Sequence, residues 1–170
     1  MNTLQLKHHR QRRNGFTLME LLIVISIMLI LMLLAIPNYN KAKVWANESS
    51  AQKSLGAIRE AQLMYSQAYP SVGFACTLQA LGKDPTQTGA ATAANSGLLQ
   101  GDLPSGTKAG YNFAITNCAK APNSERIVSY EVTAVPQSVG KTGNRGFCLD
   151  ADSEIKADPT GGTNCTQLAQ

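Results

Sequence analysis

The first part of the chain is dominated by one uninterrupted apolar run. It extends from Phe16 to Ile36, which is 21 residues, and it contains one ionisable side chain, that of Glu20. At ~1.5 Å of rise per helical residue the run reaches ~32 Å, enough to cross a bilayer core of ~30 Å. The pattern therefore predicts a membrane-spanning helix at residues 16–36.

A different pattern follows at residues 37–69. Pro37 lacks an N–H and crowds the preceding turn, so a kink is expected there. Beyond it, apolar residues recur every three or four positions in a stripe that Gln62 interrupts. The members of this stripe are Val44, Ala51, Leu55, Ile58, Tyr65 and Tyr69. We expect an amphipathic helix whose stripe holds a folded domain. An independent coiled coil is the weaker alternative, because the stripe spans barely three heptads.

The rest of the chain changes from a loop-like to a strand-like composition. Residues 70–110 are rich in Gly, Ala, Thr and Ser and predict a long loop, with one short helix at Thr77–Leu81 capped by Gly82. Residues 111–170 predict a small antiparallel sheet, with strands at Tyr111–Thr116, Ile127–Val135, Gly146–Leu149 and Glu154–Ala157. The order of helix, loop and meander predicts an α+β fold in which the long N-terminal helix packs against one face of the sheet.

Charge changes this picture near the N-terminus. The segment before the apolar run contains four basic residues and no acidic residue; the basic residues are Lys7, Arg10, Arg12 and Arg13. Positive charge before an apolar span keeps the N-terminus cytoplasmic and sends the following chain outward. The remaining chain carries 11 Lys and Arg against 11 Asp and Glu, so the net charge of +4 comes from this segment. The basic balance gives no indication of nucleic-acid binding.

The sequence contains few of the side chains that common catalytic sites require. Both histidines, His8 and His9, lie in the basic segment, so residues 16–170 contain none. This excludes Ser-His-Asp and Cys-His catalysis and imidazole metal sites from that part of the chain. Nothing in the sequence indicates a cofactor. We expect no enzyme, and a membrane-tethered periplasmic enzyme or binding module is the remote alternative.

Four cysteines lie on the outward side of the predicted span, where an oxidising compartment favours disulfides. They are Cys76, Cys118, Cys148 and Cys165, and no Cys-x-x-Cys pair occurs among them. A four-thiolate zinc site is therefore disfavoured. Three disulfide pairings are possible, and we favour Cys148–Cys165 with Cys76–Cys118.

Three acidic residues alternate around a predicted turn at residues 150–153. Asp150, Asp152 and Glu154 provide the oxygen ligands that calcium prefers. The EF-hand pattern is absent, however, and a solvated turn is the commoner arrangement. These residues form a weak calcium candidate, and the main prediction is that the chain binds no metal.

The start of the apolar run resembles a known processing site. The stretch Gly15-Phe16-Thr17-Leu18-Met19-Glu20 is similar to the cleavage motif of type IV pilins and type II secretion pseudopilins, and Pro37 also matches that pattern. The resemblance covers roughly Arg10 to Tyr39. It implies a leader at residues 1–15, which a membrane-embedded prepilin peptidase removes by cutting between Gly15 and Phe16. The same enzyme then methylates the new Phe16 amine.

The resemblance also implies a role for Glu20 in filament assembly. A carboxylate one turn into the membrane costs ~2.5–3.5 kcal/mol or more on insertion scales. A neighbouring helix displaced along the axis sets its own Phe16 ammonium against Glu20, and pairing removes much of that cost. The register between subunits is then selected electrostatically. The alternative is that Glu20 only sits at the membrane interface or is protonated.

The function implied by the resemblance is that of a structural subunit of a type IV pilus, polymerised into a helical fibre for adhesion, twitching motility or DNA uptake. The expected partners are further copies of the chain, the prepilin peptidase, an inner-membrane assembly platform and the membrane itself. The precursor is expected in the inner membrane as a single-pass protein, and the fibre outside the cell. A pseudopilin of a type II secretion system is the alternative. The four cysteines favour the pilus, because major pseudopilins usually lack disulfides, and the pair Cys148–Cys165 resembles the C-terminal disulfide-bounded region of type IV pilins.

Overall fold

The computed structural model describes residues 15–86, 89–150, 152 and 154–169, without the side chains of residues 34–37. Residues 1–14 of the predicted leader therefore lie outside the described residues, as do Ala151 and Ser153 of the predicted turn. The fold is α+β, as expected. Its elements are helices α1 (Leu18–Ala68) and α2 (Leu78–Leu81), a 3-10 turn (Leu103–Ser105), and strands β1 (Thr107–Lys108), β2 (Tyr111–Lys120), β3 (Ile127–Pro136), β4 (Gly146–Asp150), β5 (Ile155–Asp158) and β6 (Gln167–Leu168).

The chain divides into two units, Met1–Tyr39 and Asn40–Gln170. In the first unit, the large apolar side chains described from Phe16 to Leu33 are all at least 46% exposed. A helix that is apolar on every side needs lipid or protein around it. Among the described residues no single helix passes the length and hydropathy test for a membrane span, whereas the segments Leu18–Leu33 and Asn38–Ala68 pass it as an interrupted pair.

Pro37 lies within α1, which runs as helix on both sides of it. The side chain of Pro37 is among those outside the described part of the chain. The kink expected there stays a prediction. The helix ends at Ala68, one residue before the predicted end at Tyr69, because the residue that precedes a proline is disfavoured in helical geometry.

In the second unit, the predicted stripe of α1 is buried against the sheet. Ala51, Leu55 and Ile58 are almost completely buried, and Gln62 is as deeply buried on the same face. The Gln62 side-chain amide donates from Nε2 to the Ala75 carbonyl (2.7 Å), and its Oε1 accepts the Ala75 N–H (2.8 Å). The polar residue fits the stripe because its amide gives both backbone groups of a buried loop residue a hydrogen-bond partner.

The six strands form one antiparallel meander in the order β1-β2-β3-β4-β5-β6, so neighbours in sequence are neighbours in space. Two rows of apolar side chains cross strands β2 to β5 on the face that packs on α1. One row is Phe113, Ala134, Phe147 and Ala157, and the other is Ile115, Val132, Leu149 and Ile155. Full burial of a large apolar side chain contributes ~1.5–3 kcal/mol. These rows therefore provide much of the stability that holds α1 to the sheet.

Several strand bounds differ from the sequence prediction. β2 continues four residues beyond Thr116, through an irregular stretch in which Asn117 has a φ of +51°. Residues 70–110 were expected to contain no regular element besides the short helix, and they also contain the 3-10 turn and β1. β6 was not predicted. Strands of two residues are too short to produce an alternating pattern, which explains why β1 and β6 were missed.

The short helix α2 forms with Gly82 as its C-cap, as predicted, whereas Thr77, expected as its first residue, is its N-cap. The Thr77 hydroxyl accepts the N–H of Ala80 (3.3 Å), and the Gly82 N–H closes the last turn on the Leu78 and Gln79 carbonyls. Gly82 is required for close packing, because a Cβ atom there would lie 2.5 Å from the Cβ of Pro104.

The four cysteines form the two predicted disulfides. Cys76 pairs with Cys118 across a Cα separation of 6.1 Å, and Cys148 pairs with Cys165 across 6.0 Å. The first bond ties the segment after α1 to β2, and the second ties the C-terminal segment to β4. Both disulfides therefore hold segments that have little regular structure of their own.

Candidate processing and assembly site

The candidate cleavage point is open on all sides. Gly15 is exposed, and a Cβ atom added to it would meet no other atom within 4 Å. Phe16 is 87% exposed. The fold therefore imposes no requirement for glycine at position 15, and the junction is accessible to another protein. A glycine that the fold does not need is consistent with a residue that an enzyme reads.

Directly after this junction, Thr17 and Glu20 cap the start of α1. The Glu20 N–H donates to the Thr17 hydroxyl (3.2 Å), and the Glu20 carboxylate accepts the Thr17 N–H (2.9 Å). This is a capping box, in which a Thr at the N-cap and a Glu three residues later satisfy two unpaired N–H groups. The Thr-x-x-Glu pattern before an apolar run is a signal of this box that is readable in the sequence.

The capping box gives Glu20 a role within its own chain. Its carboxylate lies in the first turn of α1, where the helix dipole favours negative charge. The N–H that it accepts belongs to Thr17, the residue that follows the candidate N-terminal Phe16. A carboxylate held at this place is also close to where a new ammonium group would appear. The role of Glu20 in register between subunits stays a prediction, because the structure contains one chain.

The apolar run itself has few polar groups to satisfy. The hydroxyl of Ser26 donates to the Leu22 carbonyl one turn earlier (2.8 Å). Such bonds to the same helix allow a serine to enter an apolar environment at little cost. Within residues 16–33, Glu20 is thus the one side chain with a formal charge.

In the acidic turn at residues 150–154, one carboxylate is paired with a lysine. The Asp150 carboxylate pairs with the Lys156 ammonium at 3.0 Å, and this hydrogen bond holds the pKa of Asp150 below its usual value. Asp152 and Glu154 are exposed. Among the described residues no group of three His, Cys, Asp or Glu side chains is arranged to hold a metal ion. Calcium binding at this turn stays a weak prediction.

An ion pair between the buried Glu48 and the partly exposed Arg145, which was not predicted from the sequence, joins α1 to the loop between β3 and β4. Glu48 is buried in α1; its Oε2 accepts from the Arg145 Nε (2.9 Å), and its Oε1 accepts the Asn144 and Arg145 N–H groups (2.8 and 3.3 Å). Asn47 adds a bond from its Nδ2 to the Thr142 carbonyl (2.8 Å). The partners lie 95 to 97 residues apart, so no local pattern reveals them. Together these bonds of Asn47 and Glu48, which we call the clasp, fix the loop between β3 and β4 against α1.

Comparison with known proteins places the N-terminal segment in a described family. Residues 10–36 match the family model described as "Prokaryotic N-terminal methylation motif". The match covers 27 of the 170 residues and includes the junction and the capping box. No curated protein and no solved structure matches the chain.

Proposed function

We propose, from the N-terminal methylation motif that marks type IV pilins and pseudopilins, that this chain is a structural subunit of a type IV pilus. The motif supports a protein of the pilin or pseudopilin family. A prepilin peptidase removes residues 1–15 and methylates Phe16, and the product polymerises into a helical surface fibre. The protein acts by assembly and not as an enzyme.

The observation that carries this proposal is the junction at Gly15 and Phe16, which is exposed and directly followed by the capped apolar helix. Cleavage there leaves the whole apolar run on the product. A signal peptide loses its apolar region on cleavage, so this order of elements suits a subunit that stays in the membrane until assembly. Residues 16–36 then form the membrane helix and the filament core, and the inner-membrane assembly platform and further copies of the chain are its partners.

The folded unit favours the pilus over the secretion pseudopilus. Two disulfides hold its loop after α1 and its C-terminal segment. Such bonds are worth most outside the cell, where shear and proteases act on a fibre, and they persist in an oxidising environment. A pseudopilin of a type II secretion system shares the same N-terminal motif and remains the alternative. A long fibre that is released from the cell surface by shear distinguishes the first from the second.

The test separates the two roles that Glu20 has in this proposal. Glu20→Gln removes the charge but keeps a side-chain oxygen that accepts the Thr17 N–H, since Gln also completes a capping box. Glu20→Leu removes both. Thr17→Val keeps the charge and removes the hydroxyl half of the box. Processing is measured by the mass of the N-terminal peptide, and assembly by immunoblots of the shear fraction and of whole membranes.

If Glu20 pairs with a Phe16 ammonium of a neighbour, Glu20→Gln and Glu20→Leu both leave processed, membrane-inserted monomers with few or no fibres, because an ammonium stays unpaired in hydrocarbon. Thr17→Val then retains most fibres. If Glu20 serves only as a cap, Glu20→Gln assembles like the wild type while Glu20→Leu and Thr17→Val are impaired. A mature chain that starts after Ile36, or a precursor that is never cut at Gly15, contradicts the pilus proposal itself.

A further inference from the structure

Exposed basic and apolar side chains lie on two segments of the folded unit that the Glu48–Arg145 ion pair joins. They are Lys41, Lys43 and Trp45 on α1 and Val139 and Lys141 on the loop between β3 and β4, and together we call them the basic patch. Trp45 is 71% exposed and Val139 is 58% exposed, and the three lysines are exposed as well. Tryptophan and lysine are side-chain types that suit a boundary between an apolar phase and water, because each has an apolar body and a polar end.

The two halves of the patch are held together by the clasp described above. Val44 and Glu48 of α1 face the loop, and Lys41 and Trp45, which are one turn apart, border an open depression of about 270 Å³ that also contacts Gly140 and Asn144. Lys43 projects from the other flank of the helix. Because Glu48 and Asn47 bond to the loop backbone, the lysines of both segments are presented on a fixed frame.

The patch has no acidic counterpart of its own. Residues 37–47 and 137–147 contain no Asp or Glu. Arg145, the other cation of the loop, is neutralised by the buried Glu48. Among the ion pairs of the described residues none includes Lys41, Lys43 or Lys141. The patch therefore carries three positive charges that are free to meet an anionic surface.

Its place in the chain identifies that surface. Lys41, Lys43 and Trp45 follow Ile36, the last residue of the apolar run, by five, seven and nine residues of α1. Since one residue of chain spans at most ~3.5 Å, chain connectivity alone keeps Lys41 within ~18 Å of Ile36. The headgroup layer is ~5–7 Å thick on each side of the core, and lysine side chains reach several ångströms toward it. Trp, with its apolar ring and its N–H, is enriched at this depth.

We propose that the basic patch binds the phosphate headgroups of anionic lipids on the outward leaflet and docks the folded unit on the membrane before assembly. The proposal rests on the pilus subunit being held in the membrane by residues 16–36. Each lysine near an anionic surface is worth about a fivefold gain in binding. Three lysines then raise the ratio of docked to undocked molecules by up to about 100-fold. Apolar contact by Trp45 and Val139 adds to this.

The chain supplies its own reporter, because Trp45 is its single tryptophan. The full chain is placed at one copy per nanodisc, in discs of phosphatidylglycerol or of phosphatidylcholine. We expect a blue-shifted Trp45 emission and strong quenching by lipids brominated near the headgroup in the anionic discs. Both effects should weaken as salt rises, since screening acts on exposed charges. In phosphatidylcholine discs the emission should remain that of an exposed tryptophan.

A triple variant tests the lysines. Lys41→Gln/Lys43→Gln/Lys141→Gln should lose the shift and the quenching in anionic discs. The matched control Lys53→Gln/Lys83→Gln/Lys108→Gln removes three exposed lysines elsewhere on the same unit and should keep both. Equal loss in the two triple variants, or equal quenching in both lipids, overturns the proposal. A shift that appears only with several copies per disc assigns the patch to a second copy of the chain and overturns it too.

The readout is independent of the pilus proposal. Docking is measured on single, purified chains and needs neither cleavage nor fibres. If the triple variant fails to dock but is still processed at Gly15 and assembles, lipid binding by the patch stands and fibre formation does not depend on it. If the wild type docks but no fibres form under any condition, lipid binding stands and the pilus proposal falls.

Discussion

At the scale of single residues, the buried polar side chains of the folded unit serve the backbone. Gln62 pairs with both backbone groups of Ala75, and the Tyr111 hydroxyl donates to the Arg145 carbonyl (2.8 Å). Burial raises the pKa of Tyr111, and the nearby Glu48 carboxylate adds to this effect. Loop backbone has no neighbouring strand with which to form hydrogen bonds. These side chains provide the missing partners, which is why each occupies a core position.

Replacement of Gln62 by an apolar residue should destabilise the folded unit, although the position lies in an apolar stripe. Gln62→Leu adds a residue that fits a hydrophobic stripe, but it leaves the N–H and carbonyl of Ala75 buried without partners. Each unsatisfied group costs ~1–3 kcal/mol, so we expect a loss of ~2–5 kcal/mol in the free energy of unfolding. Urea unfolding of the full chain in detergent measures this loss.

The matched control is Gln67→Leu, at an exposed glutamine of the same helix. It should change stability by less than ~0.5 kcal/mol, as is usual for surface positions. If Gln62→Leu were as stable as Gln67→Leu, the amide of Gln62 would not be a required partner of Ala75.

Asp158 should make the folded unit sensitive to acid. Its Oδ1 accepts the Thr160 N–H (2.8 Å) and hydroxyl (2.7 Å), and its Oδ2 accepts the Asn164 N–H (2.9 Å). These bonds, those from Thr160 first, hold the pKa of Asp158 below its ordinary value. A carboxyl group with a lowered pKa stabilises the fold above the unfolded pKa of ~3.9 and loses this contribution as the pH falls through the lower folded value.

We therefore expect Asp158→Asn to be less stable than the wild type at pH 7 and to approach it below about pH 4. Thermal midpoints at a series of pH values measure the two curves. Asp102→Asn, at an exposed residue, controls for the general effect of removing a negative charge. Parallel curves for Asp158→Asn and the wild type down to pH 2 would show that the bonds to Thr160 and Asn164 do not favour the ionised form.

At the scale of elements, helices and strands with a regular apolar pattern were predicted from the sequence. Contacts between residues that lie far apart in the chain were not. The 3–4 stripe of α1 and the strand at Ile127–Val135 were read correctly, because burial on one face produces them directly. Gln62 was read as an interruption, since its partner Ala75 lies in a loop 13 residues away. The clasp through Glu48 was invisible for the same reason. The cleavage junction was predicted from its motif, while the capping box at Thr17 was overlooked.

The two disulfides should protect different elements. Cys148→Ala/Cys165→Ala opens a loop of 17 residues and should cost ~3 kcal/mol, whereas Cys76→Ala/Cys118→Ala opens one of 42 and should cost ~4 kcal/mol in the chain-entropy model. β6 pairs with β5 through two residues, so the C-terminal segment is held mainly by its disulfide. The first double variant should be cut by proteases after residue 158, and the second within residues 70–110.

Thermal midpoints and the masses of early proteolytic fragments measure these effects, and each double variant serves as the control for the other. The same cleavage pattern in both would mean that the disulfides stabilise the unit globally and not the segments that they close.

At the scale of the whole molecule, the two units have opposite surfaces. Residues 16–33 expose apolar side chains on every side, while the second unit buries its apolar residues in one core and exposes charge. A chain of this kind is stable only where an apolar phase meets water. The family model matches residues 10–36, which lie in the first unit. The second unit carries the features that are particular to this chain, namely the clasp, the basic patch and the two disulfides.

The short outer strands of the sheet have a consequence for aggregation. β1 and β6 are two residues long, so neither of them offers a long row of unpaired N–H and carbonyl groups, and beyond β1 the edge of the sheet is formed by β2. The part of β2 beyond β1 is interrupted at Asn117, where the backbone leaves strand geometry, and is pinned by the disulfide at Cys118. Long flat edges recruit further strands and lead to amyloid-like growth, and short or irregular edges prevent it. These edges therefore give the sheet of another copy of the chain little regular strand to pair with.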